Sequence, residues 1–192
     1  MLPLILGGLI GAATISLLAK LTEGMIEVNG QGYHTNLTKR GELKDLAHKL
    51  TANCNGNDAL EVQALFDFVT AIPYRSDHTS RNPHNVIKTN WGDCDDKCNL
   101  FASLLQERKH EYRFVYVPSH VFVVVHVKNC RTSNAKTKLM IDGRPFYYAE
   151  TTIKGAKIGT YNGYPLKSIE GVYDIRRKTA IAIENIRFRR GA

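Results

Sequence analysis

The segment from Trp91 to Arg108, WGDCDDKCNLFASLLQER, constrains the fold most, because it combines a tight turn, a helix start and two cysteines. The apolar residues after Cys98 recur at helical spacing, which predicts an amphipathic helix with one buried face. Asp93 suits the N-cap position, and the two acids that follow Cys94 suit the first helical turn. The sequence therefore places Cys94 at the beginning of a well-anchored helix.

Cys94 is the candidate reactive residue, since unpaired backbone N–H groups and the positive end of the helix dipole favour a thiolate at this position. The flanking carboxylates of Asp93, Asp95 and Asp96 oppose thiolate formation, so activation requires a base, for which histidine is expected. Cys98 lies on the apolar stripe and is predicted to be a small buried residue. A purely structural role for Cys94 is the competing interpretation.

The chain is predicted to consist of a short apolar segment and one domain. Residues 1–19 carry no charged side chain and are about long enough to cross a bilayer as a helix. We predict a single-pass membrane anchor there, with a cleaved signal peptide as the alternative. Residues 24–192 are sufficient for one domain with a core of ordinary size. Positive residues follow the apolar segment, which favours a cytoplasmic domain, but the cysteines leave the side of the membrane open.

The formal net charge of +8 lies wholly in the predicted domain. Its basic residues are scattered except at the end of the chain, where Arg187, Arg189 and Arg190 cluster. The sequence shows no basic motif interleaved with aromatic residues, so no nucleic-acid partner is expected. The net positive charge is more simply explained by binding to an acidic partner or to an anionic membrane surface.

Helical patterns precede the cysteine helix, and alternating patterns follow it. Helices are predicted near residues 43–50 and over 59–71, with a long loop over 74–90. Strands are predicted over 112–117 and 120–127, followed by a hairpin around Asp142-Gly143 and a final strand near 180–188. These elements predict an α+β fold in which the cysteine-bearing helix packs on a mainly antiparallel sheet.

The strand HVFVVVHV, residues 120–127, supplies two candidate bases on one face, His120 and His126. His120 is the better candidate, because a side chain at the strand's beginning can reach a neighbouring helix terminus. Glu150 follows the second strand of the predicted hairpin, where a carboxylate can orient an imidazole on the adjacent strand. Asp142 is interpreted as a turn residue. Alternatively, His120 and Glu150 are ordinary polar residues at strand ends without a catalytic role.

The order of cysteine at a helix start, histidine at a strand start and acid on a following strand resembles the transglutaminase-like superfamily of papain-related cysteine enzymes. The segments that carry this resemblance are GDCDDKCNLFASLL, PSHVFVVV and AETT, within residues 74–152. It implies a papain/transglutaminase-like core with Cys94 as nucleophile, His120 as general base and acid, and Glu150 as the residue that holds the imidazole. Family members commonly have aspartate at this last position.

The resemblance implies acyl transfer through a thioester, with a peptide or protein as substrate. Hydrolysis by a peptidase or amidase is the expected outcome, and transamidation is the alternative. The backbone N–H of Cys94 would hold the oxyanion, and Trp91 or another group of the preceding loop would add a second donor. Cys94 and Cys98 have helical i, i+4 spacing without a compact second ligand pair, so neither a metal nor another cofactor is expected.

Two other functional classes fit the same residues. A binding module that keeps this fold without catalysis would leave Cys94 unreactive. A thiol redox protein would use Cys94 and Cys98, although this pair lacks the usual two-residue gap.

Overall fold

The computed structural model describes residues 21–22, 24–77, 79–128, 137–182 and 186–189. The predicted membrane segment, residues 1–19, and Cys130 lie outside these ranges. In the part of the chain that the structure describes, no helix combines the length and the apolar character needed to cross a membrane.

A seven-stranded antiparallel sheet forms the centre of the domain, as the alternating sequence patterns predict. Its strands, in chain order, are β4 (Tyr112–Val117), β5 (His120–His126), β6 (Lys138–Ile141), β7 (Arg144–Ala149), β8 (Gly171–Asp174), β9 (Thr179–Ala180) and β10 (Ile186–Arg189). Their spatial order is β10-β6-β7-β5-β4-β8-β9. Strand β5 therefore lies at the middle, between β4 and β7.

The turns between these strands use residues that tolerate a positive φ. Ser119 (φ 58°) turns β4 into β5, and Asp142 (φ 49°) and Gly143 (φ 76°) turn β6 into β7. The Asp-Gly pair supplies the two positive φ angles of a type I′ turn, which confirms the predicted hairpin. These short connections place His120 directly opposite Val117.

Both faces of the central strands are covered. Val121, Val123 and Val125 of β5 pack into the main hydrophobic cluster with the helices. Phe122 and Val124 belong to a second cluster on the opposite face. A strand buried on both faces favours a continuous apolar run, which is why β5 reads FVVV without polar interruption.

The described residues form four helices, which precede the large sheet in the chain: α1 (Lys44–Thr51), α2 (Asp58–Ala71), α3 (Pro83–Thr89) and α4 (Cys94–Glu107). The prediction of a loop over residues 74–90 is wrong in its second half, where α3 lies. Asn82 caps α3 by accepting from the N–H of Asn85, Pro83 occupies its first turn, and Asn90 ends it with a φ of 57°. These residues are typical of helix termini, but the polar composition of the segment favoured a loop prediction.

The prediction of one final strand near residues 180–188 is also wrong, because this stretch contributes to both edges of the sheet. Strand β9 pairs with β8, whereas β10 pairs with β6 at the opposite edge. A second sheet precedes the helices and consists of β1 (Leu21–Thr22), β2 (Met25–Val28) and β3 (Gln31–His34). This sheet was not predicted from the sequence, although Asn29-Gly30 between β2 and β3 is a typical hairpin turn.

Candidate active site

Helix α4 begins at Cys94, in a reciprocal cap that the sequence partly predicts. The Asp93 carboxylate accepts from the N–H of Asp96 at 3.1 Å, and the Asp96 side chain accepts from the N–H of Asp93. Gly92 permits this approach, because a Cβ there would lie only 3.0 Å from the Cβ of Asp96. The turn and the cap together fix the position of Cys94.

Buried polar contacts hold the segment before Cys94 in place. The N–H of Arg75 donates to the carbonyl of Gly92 at 3.0 Å. Lys97, only 1% exposed, extends beneath this turn and donates to the carbonyl of Ile72 at 2.6 Å. Burial lowers the pKa of Lys97 to about 8. A buried lysine with a backbone acceptor thus connects α4 to the chain beside Gly92.

The surroundings of Cys94 disfavour a thiolate. Burial, then the charge of Asp95 and that of Asp93, raise the pKa of the Cys94 thiol to about 12. Backbone N–H groups of Val121 and Asp95 directed at the sulfur act in the opposite direction but are outweighed. The sequence-based expectation that the flanking carboxylates oppose ionisation is therefore confirmed, and Cys94 needs a base.

The acids around Cys94 form a compact group. Asp93, Asp95 and Asp96 offer carboxylate oxygens within 4.8 Å of one another. Burial and a hydrogen bond with Asp95 raise the pKa of Asp93 well above its usual range. Carboxylates are the ligands that hard cations prefer, but these three already accept hydrogen bonds, from Asp96, His34 and Arg81. The expectation that the chain binds no metal, which rested on cysteine spacing, stays a prediction.

His120 and Glu150 lie together, as the sequence order predicts. His120 Nε2 is 2.9 Å from Glu150 Oε2, and Glu150 is only 4% exposed. Thr152 donates to Oε1 through both its N–H (3.1 Å) and its hydroxyl (2.6 Å), and Asn162 donates to Oε2 at 3.1 Å. Burial opposes ionisation of Glu150, but these hydrogen bonds outweigh it and lower its pKa. Glu150 is thus an ionised, fully engaged acceptor that leaves Nδ1 of His120 available.

The ring of Tyr164 stacks on His120, with ring centroids 5.5 Å apart. Tyr164 and Asn162 come from a loop that the sequence analysis interpreted only as completing the sheet. Neither belongs to a motif, so only the three-dimensional structure reveals them. His126, the rejected candidate base, lies at the far end of β5, where its Nδ1 contacts the carbonyl of Pro145 at 2.9 Å.

Cys94 and His120 are neighbours through Val121, the residue that follows His120. The N–H of Val121 is directed at the Cys94 sulfur, and the carbonyl of Val121 accepts from Cys98 Sγ at 3.5 Å. Cys98 is fully buried and also contacts Thr151, which confirms its predicted packing role. Within the described residues no hydrogen bond joins Cys94 to His120. The structure therefore brings His120 and Glu150 into contact and connects Cys94 to them through the backbone of Val121.

The indole ring of Trp91 contacts two arginines. The guanidinium of Arg81 is 3.4 Å from the centroid of the indole ring, and that of Arg75 is 4.7 Å away. Arg81 also bridges Asp77 at 2.6 Å and the buried Asp96 at 3.2 Å. These contacts hold the loop before α4 against the helix start. The role of Trp91 as an oxyanion donor stays a prediction.

Cys94 faces a cleft of about 290 Å³. One wall comes from β3, including Tyr33 and His34. The other comes from the segment before α3, through Tyr74, Ser76, Asp77, Thr79 and Ser80. Asp93, Asp95 and Ser119 complete the lining beside Cys94. The contribution of β3 is a second feature that the sequence analysis missed, since it comes from the overlooked amino-terminal sheet. The cleft thus reaches the Cys94 thiol and Ser119, the residue that precedes His120.

The chain is similar to several solved structures at low identity. A proposed cysteine protease from Cytophaga hutchinsonii is 15% identical, with a TM-score of 0.45 over 77% of this chain and 46% of its own. A proposed protease from Parabacteroides distasonis is 16% identical, with a TM-score of 0.40 over 66% and 29%. LapG of Legionella pneumophila is 13% identical, with a TM-score of 0.42 over 73% and 86%.

The chain spans less than half of the first of these proteins and less than a third of the second. No protein-family model and no curated protein matches the sequence. The activity of the chain therefore has to be inferred from the chemistry of its own residues.

Proposed function

We propose that this chain is a thiol-dependent peptidase or amidase in which Cys94, His120 and Glu150 act as nucleophile, base and orienting acid. The observation that carries the proposal is the 2.9 Å contact between His120 and the buried Glu150, together with the N–H of the next residue, Val121, directed at the half-buried Cys94 thiol. A buried carboxylate that engages one imidazole nitrogen fixes the tautomer and leaves the other nitrogen free to accept a proton.

In the proposed reaction Nδ1 of His120 accepts the proton of the Cys94 thiol. The thiolate attacks the carbonyl carbon of an amide, and a thioester forms when the imidazolium returns the proton to the leaving amine. Glu150 stabilises the imidazolium while the charge exists. Water then attacks the thioester, again with His120 as base, and releases the acid. The backbone N–H of Cys94 and a second donor, for which Trp91 is our candidate, would hold the oxyanion.

The proposed substrate is a peptide or a protein, because the cleft beside Cys94 has two walls along which an extended backbone can lie. An amine in place of water would make the same thioester an intermediate of transamidation, which we retain as an alternative reaction. We also propose that residues 1–19 attach the domain to a membrane.

A catalytically inactive binding module is the second candidate function, and one observation favours it. Burial and two neighbouring acids raise the pKa of Cys94 to about 12, which is the opposite of what nucleophilic attack needs. If His120 does not accept the proton of the Cys94 thiol, the cleft can bind a ligand but cannot catalyse a reaction.

Labelling of the whole chain with limiting iodoacetamide between pH 5 and 9 separates the two functions. Mass spectrometry would measure the rate at Cys94 in the wild type, in His120→Ala and in the matched control His126→Ala. The peptidase proposal predicts fast labelling of Cys94 that is lost in His120→Ala and kept in His126→Ala. Labelling of Cys94 that is slow in the wild type, or unchanged in His120→Ala, would refute it in favour of the binding module.

A further inference from the structure

Strand β3 lies at the edge of the amino-terminal sheet, whose strand order is β1-β2-β3. An edge strand has a row of backbone N–H and C=O groups that no neighbouring strand pairs. Successive residues direct these groups to opposite sides of the strand, so the partners of two adjacent residues establish which groups face outward. The outward groups of β3 matter because this strand forms a wall of the cleft beside Cys94.

The hydrogen bonds of His34 and Thr35 establish the alternation. The N–H of Thr35 donates to the carbonyl of Gly24, the residue before β2, at 2.9 Å. The N–H of His34 points the other way and donates to the Asp95 carboxylate at 2.7 Å. The carbonyl of His34 accepts from Asn99 Nδ2 at 2.9 Å. The backbone groups of His34 therefore face outward, and so do those of every second residue of β3.

Gly32 lies two residues before His34 and has the same outward direction. Its outward N–H and carbonyl have no protein partner among the residues that the structure describes, and the residue is exposed. Gly32 lines the cleft together with Cys94. Because glycine has no side chain, it can only line the cleft with its backbone atoms. One donor and one acceptor of the β3 edge are thus available to a ligand in the cleft.

The path of the chain after β3 shows on which side of the helix start Gly32 lies. His34 contacts the first turn of α4, and the N–H of Thr38 donates to Ser103 Oγ, farther along the same helix, at 3.1 Å. The chain therefore follows α4 from its beginning toward its end. Residues before His34 extend past the beginning of α4, where Cys94 lies. The outward groups of Gly32 accordingly adjoin the thiol end of the cleft.

We propose that the substrate binds as an additional β-strand on the outer edge of β3, through the N–H and the carbonyl of Gly32. Given the proposed function, on which this inference rests, the substrate is then an extended peptide segment and not a small amide. The Gly32 N–H donates to a substrate carbonyl, and the Gly32 carbonyl accepts from a substrate N–H. In this mode of recognition the backbone hydrogen bonds supply affinity for any sequence that can extend.

Two thiol-alkylating reagents separate peptide binding from thiol reactivity. Chloroacetone carries the reactive group alone, and acetyl-trialanine chloromethyl ketone attaches the same group to an extended peptide. Alanine side chains suffice, because the proposed contact is to the backbone. Mass spectrometry of the whole chain gives both labelling rates at Cys94, each divided by the rate for a small free thiol. Their ratio, peptide reagent over chloroacetone, should be at least about tenfold for two added hydrogen bonds.

Gly32→Pro removes the outward N–H but keeps the pairing of β3 with β2, because edge strands accept proline where its nitrogen faces away from the sheet. The variant should lower the ratio by about fivefold, for the loss of one hydrogen bond, and leave the chloroacetone rate unchanged. Gly32→Ala is the matched control, since it keeps the N–H. Its Cβ would lie 3.1 Å from Met25 Sδ, the mobile end of a flexible side chain. It should change the ratio by less than about twofold.

N-methylation of the peptide reagent tests the same contact without altering the protein. Three reagents, each methylated at one backbone nitrogen, remove the substrate donors in turn. One of them should label the wild type about fivefold more slowly than the unmethylated reagent. A Gly32→Pro ratio equal to that of the wild type, or three methylated reagents that all react like the parent, would overturn the proposal.

The same rates distinguish this proposal from the proposed function. Chloroacetone labelling of Cys94 that is unchanged in His120→Ala would refute catalysis, while the ratio would still report strand binding. Chloroacetone labelling that depends on His120, combined with a ratio that does not respond to Gly32→Pro, would refute strand binding and leave catalysis intact.

Discussion

Glu150→Gln is the substitution that tests the proposed chemistry most directly, because it keeps the shape of the side chain and removes its charge. Oε1 accepts from the N–H and the hydroxyl of Thr152, and Oε2 faces His120 and Asn162. The amide oxygen of the substituted side chain must stay toward Thr152, whose backbone N–H would otherwise be unpaired. Its NH₂ group then faces His120.

An NH₂ group donates but cannot accept, so Nε2 of His120 must become the acceptor and the ring proton must move to Nδ1. In that tautomer Nδ1 cannot take the proton of Cys94. In a serine protease triad the equivalent loss of the correct tautomer costs about 10⁴-fold in kcat. Here the same change should leave Cys94 without its base.

The size of the effect follows from the thiol. With a pKa of about 12, the unassisted thiolate fraction at pH 7 is roughly 10⁻⁵, against roughly 3% for an ordinary thiol. The thiolate fraction is therefore lower by roughly 3.5 orders of magnitude. The more basic thiolate is intrinsically more nucleophilic, which raises its rate by about 1.5 orders of magnitude. Unassisted Cys94 should therefore react with iodoacetamide about 100-fold more slowly than an ordinary cysteine.

The assay is the pseudo-first-order labelling rate of Cys94 at pH 7, measured by mass spectrometry and compared with that of a small free thiol. The wild type should react at least as fast as the free thiol, and Glu150→Gln about 100-fold more slowly. Glu150→Asp is the matched control: it keeps the charge but is one methylene shorter, so its loss should be near tenfold. Circular dichroism would verify that both variants fold. Equal rates in wild type and Glu150→Gln would refute the role of Glu150.

Three further predictions concern the structure around the site. Cys98→Ala should lower the free energy of unfolding, measured in urea, by about 1 kcal/mol because packing contacts are lost. It should leave the labelling rate of Cys94 unchanged. A tenfold slower labelling rate would contradict a packing role. Arg81→Ala removes the ion-pair partner of the fully buried Asp96 carboxylate. It should lower Tm several times more than Lys157→Ala, which breaks an exposed ion pair. Equal shifts in Tm would contradict a role for the buried ion pair. Folding raises the pKa of Asp93, so the free energy of unfolding falls as pH rises from the unfolded pKa near 4 toward the raised folded pKa. Asp93→Asn keeps a good N-cap and should be more stable than the wild type by about 1–2 kcal/mol at pH 8. A gain in stability that does not shrink at pH 5 would refute the linkage.

The sequence predicted the parts of the site that local physics determines. The cap at Asp93, the burial of Cys98 and the Asp142-Gly143 hairpin each depend on residues within a few positions of one another. His120 was preferred over His126 because of its place at the beginning of a strand, and the structure places the two at opposite ends of β5. The helix start signal at Asn82-Pro83 was equally local and was overlooked within a polar stretch.

The remaining parts of the site depend on distant segments and have no local signal. Tyr164 and Asn162 reach the imidazole–carboxylate pair from the loop between β7 and β8, and the N–H of His34 donates to Asp95 from the amino-terminal sheet. Each of these three contacts joins residues more than ten positions apart in the chain. Such contacts follow from tertiary packing, which periodicity and turn chemistry do not encode.

The docking of α4 on β5 determines how Cys94 and His120 lie relative to each other. Val121 offers its N–H to Cys94 and its carbonyl to Cys98, so a single residue of the central strand contacts both cysteines of the helix. His120 precedes Val121, and its position is therefore set by the same contact. Sites on packed helices and strands hold their geometry better than sites on loops. Because burial and nearby acids suppress the thiolate, we expect a reactive Cys94 to depend on His120, so that its labelling is lost in His120→Ala.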